Sequence, residues 1–302
     1  MLSTVPISSN KNHVIPRVLR LELPSQNAIP LLLDSPHSGT YYPEDFGYSL
    51  ELAKLQQNED NHVNELYGLA PQYGAALLEA LFSRNYIDLN RAADDVDPEV
   101  VDAPYPGARP SPNSKLGRGL LWRLMSNGDA VYNRRLSVAE VKARIESYHR
   151  PYHQLLAQQL RRLHREFGQV WHINCHSMSS VSGAQSPDGK VGVERPDFVL
   201  GDHFGTSCEP AMTQFVHETL EKMGYTVDDN VPYKGAELTL AYSKPALGFH
   251  SLQIEINSKL YMNEETREKN AGFDKLRGNL TSLVTQLSRF VTSRVVKDVH
   301  AV

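Results

Sequence analysis

Cysteine is scarce in this 302-residue chain, which has only Cys175 and Cys208. Two are too few for a disulfide framework, and these lie too far apart for a thiolate zinc motif, so a reducing, cytoplasmic setting is expected. No apolar run approaches the roughly 20 residues of a spanning helix. Residues 1–6 lack the basic region and apolar core of a signal peptide, so neither export nor membrane insertion is expected. An excess of one charge is missing too. A net charge of −4 and a pI near 6.3 argue against an extended nucleic-acid surface, while local basic clusters would suit small anions. With 40% hydrophobic and 22% charged residues, the composition is that of a globular protein long enough to bury a substantial core.

What is present is organised around residues 169–178, Gln-Val-Trp-His-Ile-Asn-Cys-His-Ser-Met. This apolar, β-branched run breaks into small polar residues at Ser177, as a buried strand does where it meets a loop. His176 then sits at the strand's C-terminal edge, where open α/β sheets place their ligands. Residues 29–39 have the same design, with Leu31-Leu32-Leu33 running into Asp34-Ser35-Pro36-His37-Ser38-Gly39. Two strand-end histidines, each followed by serine, suit a metal site with ligands from separate strands. Either one alone could equally be a hydrogen-bonded histidine at a sheet edge.

Residues 49–73 have helical periodicity broken near Asn58, with Glu59 and Asp60 at the break, and Asp60 could simply cap a helix starting at Asn61. Residues 84–89 alternate like a strand before Asn90-Arg91. An arginine there is well made for bidentate capture of a carboxylate, unless it pairs internally with Asp88. Residues 92–119 are rich in proline and glycine and read as a lid or substrate loop, with Arg109, Arg118 and Arg123 as available cations. Residues 137–167 are the clearest helix, opened by a Ser137/Glu140 capping box, with Pro151 as a kink or interruption. His149 and His153, four apart on it, suit a surface or packing role. Further strands are expected at 196–201, from 225 and at 250–257, a helix at 210–223, a turn carrying an exposed Lys234 at 230–235, and a final helix over 264–296. Glu255 lies between two isoleucines of the last strand, where a carboxylate is expensive to bury unless paired or catalytic. The alternation predicts an α/β fold: a single domain over 1–302, with a mostly parallel, mixed central sheet flanked by helices and a loose arm over 1–17.

The strand-end residues His37, His176, Arg91 and Glu255, with Asp60 or Glu44 nearby, form a coherent set. Two imidazoles and a carboxylate are the ligands of an open catalytic zinc site whose fourth position takes water. Zinc lowers the pKa of that water to about 7, and a nearby glutamate takes its proton during attack. Arg91 would hold a substrate carboxylate. The chemistry described is hydrolysis of an amide next to an acidic group.

The motifs Ser-Pro-His-Ser-Gly at 35–39, Glu-Asp-Asn-His-Val at 59–63, Asp-Leu-Asn-Arg at 88–91, Tyr-His-Arg-Pro-Tyr-His at 148–153, Asn-Cys-His-Ser-Met at 174–178, Pro-Tyr-Lys-Gly at 232–235 and Glu-Ile-Asn-Ser-Lys-Leu-Tyr-Met at 255–262 together resemble the N-formylglutamate amidohydrolase family. The resemblance covers the chain from about residue 30 to 262. It implies a zinc-carboxypeptidase-like (phosphorylase/hydrolase-like) fold, with His37-Ser38 and His176-Ser177 as the two metal-histidine motifs, Asn90-Arg91 as the carboxylate grip and Glu255 as general base. The pattern departs at the third ligand: carboxypeptidases carry a glutamate three residues after the first histidine, and here that position is Thr40. The carboxylate then falls to Asp60, with Glu44 as alternative. The implied activity is hydrolysis of N-formyl-L-glutamate to formate and glutamate, the last step of one route of histidine degradation. It would use one divalent ion, Zn2+ first, and a small-molecule substrate, with no nucleic-acid or membrane partner. Arg118, Arg123 and Lys234 are candidates for the second substrate carboxylate. The rival readings are a zinc amidohydrolase for another N-acyl amino acid, a carboxypeptidase, and a non-catalytic carboxylate-binding protein.

Overall fold

The computed structural model describes residues 11–25, 27–183, 186 and 188–298. Eight strands, β1 (His13–Ile15), β2 (Leu19–Glu22), β3 (Leu31–Ser35), β4 (Ala76–Ala80), β5 (Val170–Met178), β6 (Phe198–Gly201), β7 (Val227–Asp229) and β8 (Phe249–Asn257), form one sheet in the order β1-β2-β4-β3-β5-β8-β6-β7. The four central strands, β4-β3-β5-β8, run parallel. Antiparallel joins at β2/β4 and β6/β8 make the sheet mixed, as expected.

Every residue of β3 is buried and nearly every residue of β5, the pattern of strands covered on both faces. Side chains alternate across the sheet. Leu32 therefore joins one apolar layer with Tyr152, Leu156 and Leu160 of the helix Arg150–Phe167. Leu31 and Leu33 join the other, with Met212 and Val216 of the helix Pro210–Lys222 and Leu280 and Leu287 of the helix Phe273–Asp298. The parallel direction of β3, β5 and β8 brings their C-terminal ends to one edge, and the site lies there.

The Ser137/Glu140 capping box is present at the start of the helix Val138–Arg144. That helix reaches Arg150–Phe167 through a π turn, Ile145–His149. Pro151 has no N–H to donate and its ring crowds the carbonyls of the preceding turn, so one widened turn carries the chain past it.

Three expectations differ from the structure. Residues 84–89 are not a strand: Tyr86 N–H turns back to Ser83 O, and Asp88 N–H bonds Leu120 O. Their apolar side chains are buried because the turn itself lies in the interior. Residues 49–73 form four short turns, Leu52–Leu55, Gln56–Asn58, Val63–Leu66 and Ala70–Tyr73, rather than a helix broken once. The last helix starts at Phe273, because the Asn263 side chain accepts the backbone N–H groups of Glu265 and Thr266 and Arg267 takes a φ of 62°. Of the expected N-terminal arm, residues 1–10 lie outside the described residues, and 13–15 form the edge strand. Among the described residues, no helix is long and apolar enough to cross a membrane.

Candidate active site

Past the end of β3, Pro36 carries the chain to His37. Ser38 Oγ donates to Asp60 O at 2.9 Å, and Asp60 N–H donates to His37 O at 3.1 Å, so the two segments are tied together. Gly39 lets a third segment pass: a Cβ there would lie 2.4 Å from the backbone of Leu81 and Phe82. The result is that one side-chain atom from each of His37, Asp60 and His176 falls within 4.8 Å of the other two, all three residues buried. Asp60 is not a helix cap. His62 occupies that position before Val63–Leu66, and the Asp60 carboxylate turns inward instead.

Neighbouring groups fix how each imidazole faces this cluster. An ionised carboxylate only accepts hydrogen bonds. Asp88 accepts from His37 Nε2 at 2.7 Å, from Arg84 Nη2 at 2.9 Å, from Trp122 Nε1 at 3.0 Å and from Asn90 N–H at 2.8 Å. His37 is thereby protonated on Nε2, and its buried Nδ1 makes no hydrogen bond, lying 3.4 Å from Asp60 Oδ2. Asp34 does the same for the other ring at one remove. It accepts from Asn174 Nδ2 at 2.8 Å, which turns Asn174 Oδ1 toward His176 Nε2 at 2.7 Å. His176 Nδ1 then faces Asp60 Oδ2 at 2.9 Å. Two imidazole Nδ1 atoms and a carboxylate oxygen converging in a buried pocket fit a divalent metal ion, each ring steadied by a hydrogen bond on its far nitrogen.

The electrostatics are strongly shaped. Burial would raise the Asp60 carboxyl, but the adjoining His176 and His37 rings and the Arg84 guanidinium hold it well below the usual carboxylate range. Burial likewise opposes Asp88, whose carboxyl the Arg84 guanidinium keeps low. Glu255 goes the other way. Buried, and near the Asp60 charge, its carboxyl is pushed well above the usual value. It stands directly opposite His176 in the β5/β8 register and accepts from Gln253 Nε2 at 2.9 Å.

His37, Asp60, Arg84, His176 and Glu255 line a cavity of about 860 Å³. Arg91 borders it, lowered in pKa by burial and bonded through Nε to Arg118 O and through Nη1 to Asn90 O. Asp88 thus pairs with Arg84 rather than Arg91. Asn90 Nδ2 lies 3.2 Å from His176 Nε2, and Asn90 Oδ1 accepts Leu238 N–H. His149 and His153 stack on each other behind this turn and reach the carbonyls of Arg91 and Leu89. The 92–119 segment supplies part of the wall, including Arg118, and Lys234 enters from the 230–235 turn. Two expected residues are not brought in. Arg123 pairs with Asp97 and Glu99 away from the cavity, and Glu44 is exposed, outside the His37–Asp60–His176 group. Arg84, Arg195, Asp88 and Asn174 were not assigned these places from sequence. Asn174 had a usable signal, since it lies two residues before His176 and so on the same face of β5.

A model of the family described as N-formylglutamate amidohydrolase matches residues 29–262. The chain belongs to the N-formylglutamate amidohydrolase family. It is 32% identical over 243 residues to an N-formylglutamate deformylase of Pseudomonas putida, covering 79% of this chain and 84% of that one. The crystal structure of an N-formylglutamate amidohydrolase from Ralstonia eutropha JMP134 superposes with a TM-score of 0.88 at 42% identity, over 92% of this chain and 99% of that one. A protein of Agrobacterium tumefaciens, at 17% identity and a TM-score of 0.64 over 92% and 96% of the two chains, shares the fold. Membership makes this chain an enzyme, a hydrolase of amide bonds acting on a small molecule. His37, Asp60, Asn90, Arg91, His176 and Glu255 all lie within the matched stretch and border the cavity.

Proposed function

We propose that this enzyme hydrolyses N-formyl-L-glutamate to formate and L-glutamate, using one divalent metal ion, zinc in the first instance, held by His37, Asp60 and His176. The observation that carries the reading is the buried, unpaired Nδ1 of His37, facing Asp60 and His176 beside Glu255 in a cavity bordered by Arg91. The names of the relatives support the substrate. A metal at this group supplies Lewis acidity, polarising a carbonyl oxygen and lowering the pKa of water to about 7.

The chain's own residues do the rest. Arg91 holds the α-carboxylate and so orients the formyl amide toward His37 and His176. Glu255, made more basic by burial, takes the proton of the attacking water and delivers it to the departing amine nitrogen. Asn90, held by the Leu238 N–H that its Oδ1 accepts, packs beside His176. The 92–119 segment acts as the substrate loop of a single amidohydrolase domain. A place in histidine degradation and a cytoplasmic setting complete the proposal. The test is release of formate and glutamate from N-formyl-L-glutamate by metal-loaded protein. Inactivity of folded, loaded enzyme would remove this substrate and direct the search to other N-acyl amino acids.

A further inference from the structure

We propose that Arg195 receives the side-chain carboxylate of the substrate and so makes the site selective for N-acylated dicarboxylic amino acids. The proposal rests on the reading above and adds the residue that recognises the far end of the molecule.

Arg195 is buried, 7% exposed, yet lines the same cavity as Glu255. Its backbone is fixed, with N–H on Ser180 O at 2.9 Å and C=O accepting from Asn257 Nδ2 at 3.2 Å. Its guanidinium lies over the Tyr233 ring, 5.2 Å from the centroid, and donates to Ser186 Oγ at 2.6 Å. Asp188 is reached only through that hydroxyl. Among the described residues, no carboxylate lies within ion-pair distance of Arg195. Two other arginines of the cavity differ: Arg84 has Asp88 and Asp60, and Arg109 is solvent-exposed beside Asp94. A buried guanidinium with no carboxylate in direct contact is costly even with Glu255 and Asp188 nearby, and a substrate carboxylate supplies the contact partner in the fork geometry arginine favours.

Position separates the roles of Arg91 and Arg195. Arg91 adjoins Asn90, whose amide is 3.2 Å from His176, so it stands beside the scissile bond, where the α-carboxylate is attached. Arg195 comes in on the β6 flank of β8, across from Asn257 and past Glu255. A glutamyl side chain is long enough to carry its carboxylate away from the reacting centre. Lys234 also faces the cavity, but it is exposed, so water screens its charge.

The experiment compares N-formyl-L-glutamate with N-formyl-L-norvaline, which keeps the apolar part of the side chain and lacks its carboxylate. Loaded wild type, Arg195→Gln and Arg195→Lys are used, with thermal unfolding as a check on folding. Arg195→Gln should lower kcat/KM for N-formyl-L-glutamate by about 100-fold and change that for N-formyl-L-norvaline by less than about threefold, with Arg195→Lys in between. Equal losses on both substrates, or an undiminished preference for the glutamate, would overturn the proposal. If wild type hydrolyses neither, the deformylase reading fails, and calorimetric binding of the same two compounds decides this one. Preference for the dicarboxylate that Arg195→Gln abolishes upholds it, and preference that the variant retains, or its absence from wild type, refutes it.

Discussion

His37 and His176 are held by different devices that achieve one orientation. Asp88 fixes the first ring directly, and Asp34 fixes the second through the Asn174 amide. Replacing Asn174 with leucine removes the acceptor for His176 Nε2–H. Metal affinity should fall by about 10- to 100-fold, read by competition with a chromophoric chelator, and unchanged affinity would refute the tautomer argument. Asp60→Ala should abolish stoichiometric metal binding and Glu44→Ala should leave it intact, as metal analysis of the purified variants would reveal. Glu255→Gln should retain metal and lose at least about 100-fold in kcat, and a fully active variant would exclude the base role. At this scale the sequence was informative where an apolar run ends in a histidine followed by serine, as with His37 and His176, and where a carboxylate is costly to bury, as with Glu255. It was silent on Asp88 as the partner of His37, because that contact joins residues 51 apart through a buried turn that alternates like a strand. Arg195 escaped notice for a related reason, since an arginine's burial cannot be read from its neighbours in sequence.

Among the elements, the helical stretch over 137–167 combines legible and illegible features. The capping box follows from residue spacing and is present, whereas the π turn before Pro151 reflects how the backbone relieves one missing donor. Glu140 gives this element a pH signature. Mainly through the hydrogen bond from Arg134, its carboxyl is lowered from 4.5 to about 2. A depressed folded pKa means the stabilisation is complete above the ordinary value and disappears as pH falls from about 4.5 toward about 2. Glu140→Gln should therefore unfold more easily near neutral pH by about 0.5 kcal/mol, a modest figure because the pair is solvent-screened, and match wild type near pH 2. Urea unfolding at the two pH values measures this, and a difference persisting in acid would contradict it. The strands β3, β5 and β8 were legible because uninterrupted apolar runs suit strands covered on both faces. The short turns of 49–73 were not, because their leucines have helical spacing while the chain turns repeatedly to bring Asp60 to the site.

At the scale of the whole molecule, a parallel centre aligns three strand ends, and the loops that follow converge on one cavity. The class of fold and its mixed sheet were visible in the alternation of strands and helices; which joins would be antiparallel was not, because pairing direction is set by connections rather than by side-chain pattern. A ligand that binds only the folded state stabilises it, by about 2.7 kcal/mol at a hundredfold excess over Kd. Adding zinc to stripped protein should accordingly raise its melting temperature by a few degrees, and the Asp60→Ala variant should not respond. The most direct test of the central claim is formate release from N-formyl-L-glutamate before chelation, after it, and after zinc is returned. Activity that chelation abolishes and zinc restores is the predicted result. Undiminished hydrolysis by protein that metal analysis finds stripped would contradict the account.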